Sequence, residues 1–85
     1  MSRTIYDERY RNLVSLLRGQ RERLGLRQVD VARRMGWTLS TVSRTEQLQR
    51  RLDLLETLVW AKALGLSHQE ILAACSEPFN EGGDI

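Results

Sequence analysis

Apolar residues return every three or four positions through most of the chain, and the breaks in that rhythm mark five segments of helix length. In the first, Tyr6, Tyr10, Leu13, Val14, Leu17 and Leu24 mark one face of a helix expected over residues 7–24, stopped by Gly25. Arg21 stands on that same stripe. A charge there needs a partner, because burying it unpaired costs several kcal/mol. Gly19 weakens the interior of this helix by about 1 kcal/mol relative to alanine. A second helix begins near Gln28, with Val29, Ala32, Arg33 and Gly36 spaced to share a face. Gly36 ends it, since a residue without Cβ takes a left-handed conformation cheaply.

Thr38 is placed to cap a third helix that reaches about Gln47. The connection 48–52 is polar and holds Arg50 and Arg51. Asp53, with Glu56 three residues on, has the spacing of a capping box for a fourth helix. That helix is the most apolar, through Leu54, Leu55, Leu58, Val59, Ala61 and Leu64, and Gly65 ends it. Ser67 and Glu70 repeat the capping box ahead of a short fifth helix containing Ile71, Leu72 and Cys75. The expected fold is all-α, with a helix-turn-helix at helices 2 and 3.

Helix 3 carries the candidate chemistry. Stepping about 100° per residue from Val42 places Thr45 and Glu46 beside it and Leu39 to one side. Ser40, Arg44 and Gln47 gather on the opposite face, flanked by Thr41, Ser43 and Leu48. Arg can fork onto guanine O6 and N7, and Ser or Thr can bond several base edges. The same residue types also populate ordinary solvated helix faces, so helix 3 alone leaves both readings open.

Charge tips the balance. The net charge of +2 hides a segregation along the chain. Residues 1–52 hold twelve arginines against five carboxylates (Asp7, Glu8, Glu22, Asp30, Glu46), net +7; residues 53–85 hold Lys62 against six, net −5. Arginine forks onto phosphate as well as guanine, and the positive half is the half with the helix pair. A solvated arginine-rich surface is the bland alternative.

At 85 residues and 41 % hydrophobic content, one compact domain is expected over residues 1–76, with a loosely held arm at about 1–5 and a flexible acidic tail at 77–85. No stretch has the length of a membrane span or the apolar centre of a signal peptide. The lone Cys75 can form neither an internal disulfide nor a zinc site. The lone histidine, His68, sits inside a helix cap without a nucleophile beside it. These features predict a cytoplasmic, non-enzymatic protein that needs no cofactor or metal and has no membrane partner. Trp37 and Trp60 are expected to pack rather than to stack on bases.

The segments RERLGLRQVDVARRMGWTLSTVSRTE and RRLDLLETLVWAKALGLS resemble the Xre/Cro-type helix-turn-helix family of phage and bacterial regulators. The resemblance spans about residues 13–72 and rests on Arg21, Leu24, Gly25, Gln28, Ala32, Gly36, Ser43 and Glu46, with the LDLLETL and AKALGLS stretches. It implies a five-helix, lambda-repressor-like domain that binds a roughly palindromic operator on double-stranded DNA as a homodimer. It also implies that Arg21 pairs with Glu46, that Gln28 meets a phosphate, and that Thr38, Leu39, Ser40 and Arg44 face bases. Thr41 joins the base-facing set from its place on the helix. Arg27, Ser43, Gln47, Arg50 and Arg51 are the further expected phosphate contacts.

Three positions depart from the family pattern. Arg27 replaces a capping serine, Thr45 replaces an apolar residue, and Leu48 replaces the glycine that normally follows Glu46 by two. The last change leaves open a longer helix 3 or a partner contact for Leu48. A dimer surface is expected on the acidic C-terminal part, around Leu66, Ile71, Leu72 and Phe79. An antitoxin-like module that neutralises a partner enzyme, and so has a protein partner, is the alternative function.

Overall fold

The computed structural model describes residues 7–76. The expected arm at 1–5, Tyr6, and the tail at 77–85 with Phe79 lie outside the described residues. Five helices and no strand form among those described: α1 Glu8–Arg23, α2 Gln28–Met35, α3 Leu39–Glu46, α4 Leu54–Ala63 and α5 His68–Ser76.

Four of the five starts use the cap that the sequence offers. Asp7 accepts the Arg9 N–H at 2.8 Å, and Thr38 Oγ1 accepts the Thr41 N–H at 3.2 Å. Asp53 takes the Glu56 N–H at 2.7 Å while Glu56 takes the Asp53 N–H at 3.0 Å. Ser67 and Glu70 exchange the same pair of bonds at 3.1 and 2.8 Å. Arg27 has no acceptor to offer at the start of α2. Asp30 compensates by reaching back to the Arg27 N–H at 2.8 Å. The missing serine therefore costs α2 one of the two bonds of a capping box and spares the other.

The core gathers Tyr10, Leu13, Val14 and Leu17 of α1, Val31 and Ala32 of α2, Val42 of α3, and Trp60 and Ala61 of α4. Fully burying a side chain of the leucine class stabilises the fold by about 1.5–3 kcal/mol. Trp60 is fully buried and meets Trp37 edge to face, with ring centroids 5.7 Å apart and planes at 89°. Its indole N–H has no acceptor among the described residues, a cost that the aromatic contact partly offsets.

Several expected faces are turned in the structure. Leu24 is exposed, because it is the cap residue at which the chain leaves α1. On α2 the buried pair is Val31 and Ala32, while Val29 is half-buried and Arg33 is exposed. This helix packs against both α3 and α4, and Val31 is its fully buried residue. Leu54, Leu55 and Val59 are exposed, since α4 turns Thr57, Trp60 and Ala61 to the core. Leu66 and Ile71 are buried, so neither can form the expected dimer surface; the turn at Gly65 folds Leu66 back onto the core. Leu72 is exposed.

The end of α3 answers the question posed by the absent glycine. Helix 3 does not run on: it ends at Glu46, and Leu48 itself adopts the left-handed conformation, at φ 62°. Leu48 N–H bonds Thr45 O at 3.0 Å and Gln49 N–H bonds Arg44 O at 2.8 Å, the closure that Gly36 gives α2. A β-carbon in that conformation costs roughly 1–2 kcal/mol. The Leu48 side chain, half-buried against the core, offsets part of that cost. Leu48→Gly should therefore be more stable than Leu48→Ala by about 1 kcal/mol, the reverse of the order inside a helix. Urea denaturation of the two variants measures the difference, and alanine equal to or above glycine would refute the strain.

Candidate nucleic-acid interface

Helix α3 is held by one ion pair. Arg21 leaves α1 and forks onto Glu46 at the end of α3, Nε to Oε2 at 2.7 Å and Nη2 to Oε1 at 3.0 Å. The side chains are 11 % and 3 % exposed. Arg21 Nη1 donates to Leu26 O at 2.9 Å, and Gln28 Nε2 donates to Glu46 Oε1 at 2.9 Å. One cluster thus joins α1, the turn after it, the start of α2 and the end of α3. Gln28 thereby commits one of its two amide N–H donors to Glu46.

Packing on α1 and α2 sets which way α3 faces. Val42 and Thr45 are fully buried, and the Thr45 hydroxyl donates to Thr41 O at 2.8 Å. The polar residue that replaces an apolar one therefore leaves no hydroxyl unpaired. Thr38, Leu39, Ser40, Arg44 and Gln47 are exposed, with Thr41 and Ser43 half-exposed beside them. Thr38 and Thr41 share a hydroxyl contact of 2.9 Å, and Gln47 Nε2 donates to Ser43 Oγ at 3.2 Å. Arg44 makes no ion pair with another described residue, so its guanidinium is available to a ligand.

The flanking arginines divide into two groups. Arg51 is exposed, and Arg27 is exposed but forks onto Asp30 at 3.1 and 3.0 Å. Arg50 is engaged within the fold: it pairs with Glu56 at 2.7 Å and lies 5.8 Å from the centre of the Trp37 ring. Its charge is thus already matched by Glu56, as that of Arg27 is by Asp30. The same loop is pinned by Tyr10, whose hydroxyl accepts the Leu52 N–H at 3.0 Å and donates to Arg50 O at 3.3 Å. Burial raises the Tyr10 pKa above its ordinary value, which keeps this donor protonated.

Tyr10, Trp37 and Glu56 are supporting residues that the sequence reading did not assign to the site. For Tyr10 the available signal was a tyrosine on a core stripe, since a buried hydroxyl must find partners. No described helix is long and apolar enough to cross a membrane.

The model of one protein family, described as a helix-turn-helix domain, matches residues 12–74. The chain belongs to the helix-turn-helix domain family. No curated protein and no solved structure matches it. Helices α2 and α3 are the helix pair of the domain, and Gly36, at φ 73°, is the bend between them. The chain is accordingly a DNA-binding domain, and the match agrees with the Xre/Cro-type resemblance.

Two measurements probe how the site is held. Arg21→Ala strands the nearly buried Glu46 carboxylate and should destabilise the domain by about 3 kcal/mol or more. An unchanged denaturation midpoint would show that the pair contributes nothing. Asp30 titrates low, at about 2 against an ordinary 3.8, chiefly through the Arg27 hydrogen bonds, with the Arg33 charge adding to them. A depressed carboxylate contributes stability that is complete above its unfolded pKa and lost as pH falls through its folded one. Asp30's share should therefore fade between about pH 4 and pH 2. Arg27→Ala should move the Asp30 midpoint up toward 3.8, as read by NMR titration of its carboxyl carbon; an unmoved midpoint rules out Arg27 as the cause.

Proposed function

We propose that this chain is a sequence-specific transcriptional regulator that binds double-stranded DNA as a homodimer, with α3 in the major groove. It acts as a repressor on a roughly palindromic operator. One observation carries the reading: the outward face of α3 is a small polar surface with Arg44, which pairs with no other described residue, at its centre, on a helix whose end is fixed by a nearly buried ion pair. Base reading needs a donor fork on a rigid element, and this is where the domain has one.

In this reading Arg44 forks onto a guanine, while Thr38, Leu39, Ser40 and Thr41 meet neighbouring base edges and methyl groups. Arg27, Ser43, Gln47 and Arg51 line the rim and take phosphates. Gln28 contributes chiefly by holding Glu46, and the backbone N–H groups at the start of α2 supply an anchor for phosphate. Arg50 keeps the loop after α3 in place. Two domains are required because one reading head makes few contacts, and a two-fold dimer places half-sites about 10 base pairs apart.

Base contacts and phosphate contacts respond differently to substitution. Arg44→Ala should cost about 1–3 kcal/mol on the cognate site and relax preference at one base position. Arg51→Ala should weaken every duplex alike and flatten the salt dependence by about one unit. Titration of each variant against selected and scrambled duplexes, at two salt concentrations, separates the two. Equal loss on both duplexes for Arg44→Ala would make it a phosphate clamp and leave base reading to the first turn of α3.

A further inference from the structure

Among the large apolar side chains that the fold leaves exposed, Leu39 is the one that stands on α3. It is the first residue of that helix, 49 % exposed, between the cap Thr38 and Ser40. The core does not use it, since Val42, Thr45 and Glu46 are the residues that α3 buries. Its polar neighbours are partly committed to one another. The Thr38 hydroxyl oxygen accepts the Thr41 N–H at 3.2 Å and lies 2.9 Å from the Thr41 hydroxyl, so one of the two hydroxyl hydrogens is spent within the turn. Gln47 Nε2 goes to Ser43 Oγ at 3.2 Å. The outward face therefore offers the Arg44 fork, the Ser40 hydroxyl, which bonds no other described residue, and one apolar group, Leu39.

We propose that Leu39 is a specificity-determining residue that reads the C5-methyl group of a thymine in the major groove. The inference rests on the placement of α3 in the groove argued above, and it names what one residue of that helix recognises there. Of the four bases, only thymine presents a methyl group on its major-groove edge. A leucine has no donor or acceptor. Set against adenine N6, cytosine N4 or guanine O6, it takes a polar edge from water and returns no hydrogen bond. Set against the methyl, it buries apolar surface on both sides. The first residues of a groove-bound helix are the ones that reach base edges, and Leu39 is the first of α3. Arg44 follows five residues later, about 7.5 Å along the helix axis. The thymine therefore belongs within about three base pairs of the guanine that Arg44 takes.

The test uses the full chain and a duplex that the wild type selects from a random pool. Each thymine of that duplex is replaced in turn by uracil, which removes the methyl and keeps every hydrogen-bonding group. Replacement at one position of a half-site should weaken wild-type binding about three- to tenfold. Leu39→Ala should bind the thymine and uracil duplexes alike at that position. Because Leu39 lies outside the core, this variant should keep the wild-type denaturation midpoint, so the lost preference is not unfolding. Arg44→Ala should relax the guanine and keep the difference between thymine and uracil. A wild type indifferent to every uracil replacement overturns the proposal. So does a Leu39→Ala variant as sensitive as the wild type, which would hand the methyl to Thr38 or Thr41. If selection recovers no preferred sequence, the regulator reading fails and takes this assignment with it. A selected guanine that Arg44→Ala relaxes, without any dependence on the methyl, overturns the Leu39 assignment alone.

Discussion

The rest of the domain depends on a single electrostatic constraint, the need to give Arg21 a partner on the face that α1 turns inward. Desolvating one charge costs several kcal/mol, and that cost is recovered only where geometry and hydrogen bonds are complete. Here they are: Glu46 receives three donors, two from Arg21 and one from Gln28, and the remaining Arg21 nitrogen goes to Leu26 O. Because those groups belong to three helices and a turn, α3 cannot shift without breaking several bonds together. Helix α3, with only eight residues and too short to be stable alone, gains its rigidity from this attachment.

A second device fixes the opposite side of the helix pair. Arg50, Trp37 and Trp60 form a chain of contacts from the loop after α3, through the turn between α2 and α3, into the core of α4. Glu56 neutralises Arg50 while capping α4, so one carboxylate serves both the loop and the helix start. The Arg50 hydrogen bond is the main reason the Glu56 pKa lies below its ordinary value. The two arginines with the most complete internal partners, Arg21 and Arg50, thus stiffen the frame, and Arg44 and Arg51 remain to face outward. A count of positive charge does not separate these duties; partners do.

The left-handed Leu48 shows how a turn survives the loss of its usual residue. Two backbone hydrogen bonds and a half-buried side chain hold a conformation that a β-branched or unanchored residue would abandon. The turn geometry, and the placement of α4 that follows from it, therefore depends on tertiary packing as much as on local chemistry.

How much the sequence settled by itself follows the range of the forces involved. Helix starts at Asp7, Thr38, Asp53 and Ser67, and ends at Gly25, Gly36 and Gly65, were legible because caps and left-handed turns act within four residues. The polar face of α3 was legible from its single apolar anchor, Val42, and the link from Arg21 to Glu46 from family resemblance. Only the tertiary structure decided that Val31 rather than Val29 enters the core, that Gln28 and Arg50 turn inward, and that α4 leaves Leu55 and Val59 in solvent. Each of these outcomes is the rotation of a helix about its axis. That rotation is set by which neighbours compete for its faces, and a helix with apolar residues on several faces, such as α4, carries little periodic signal of its own to decide it.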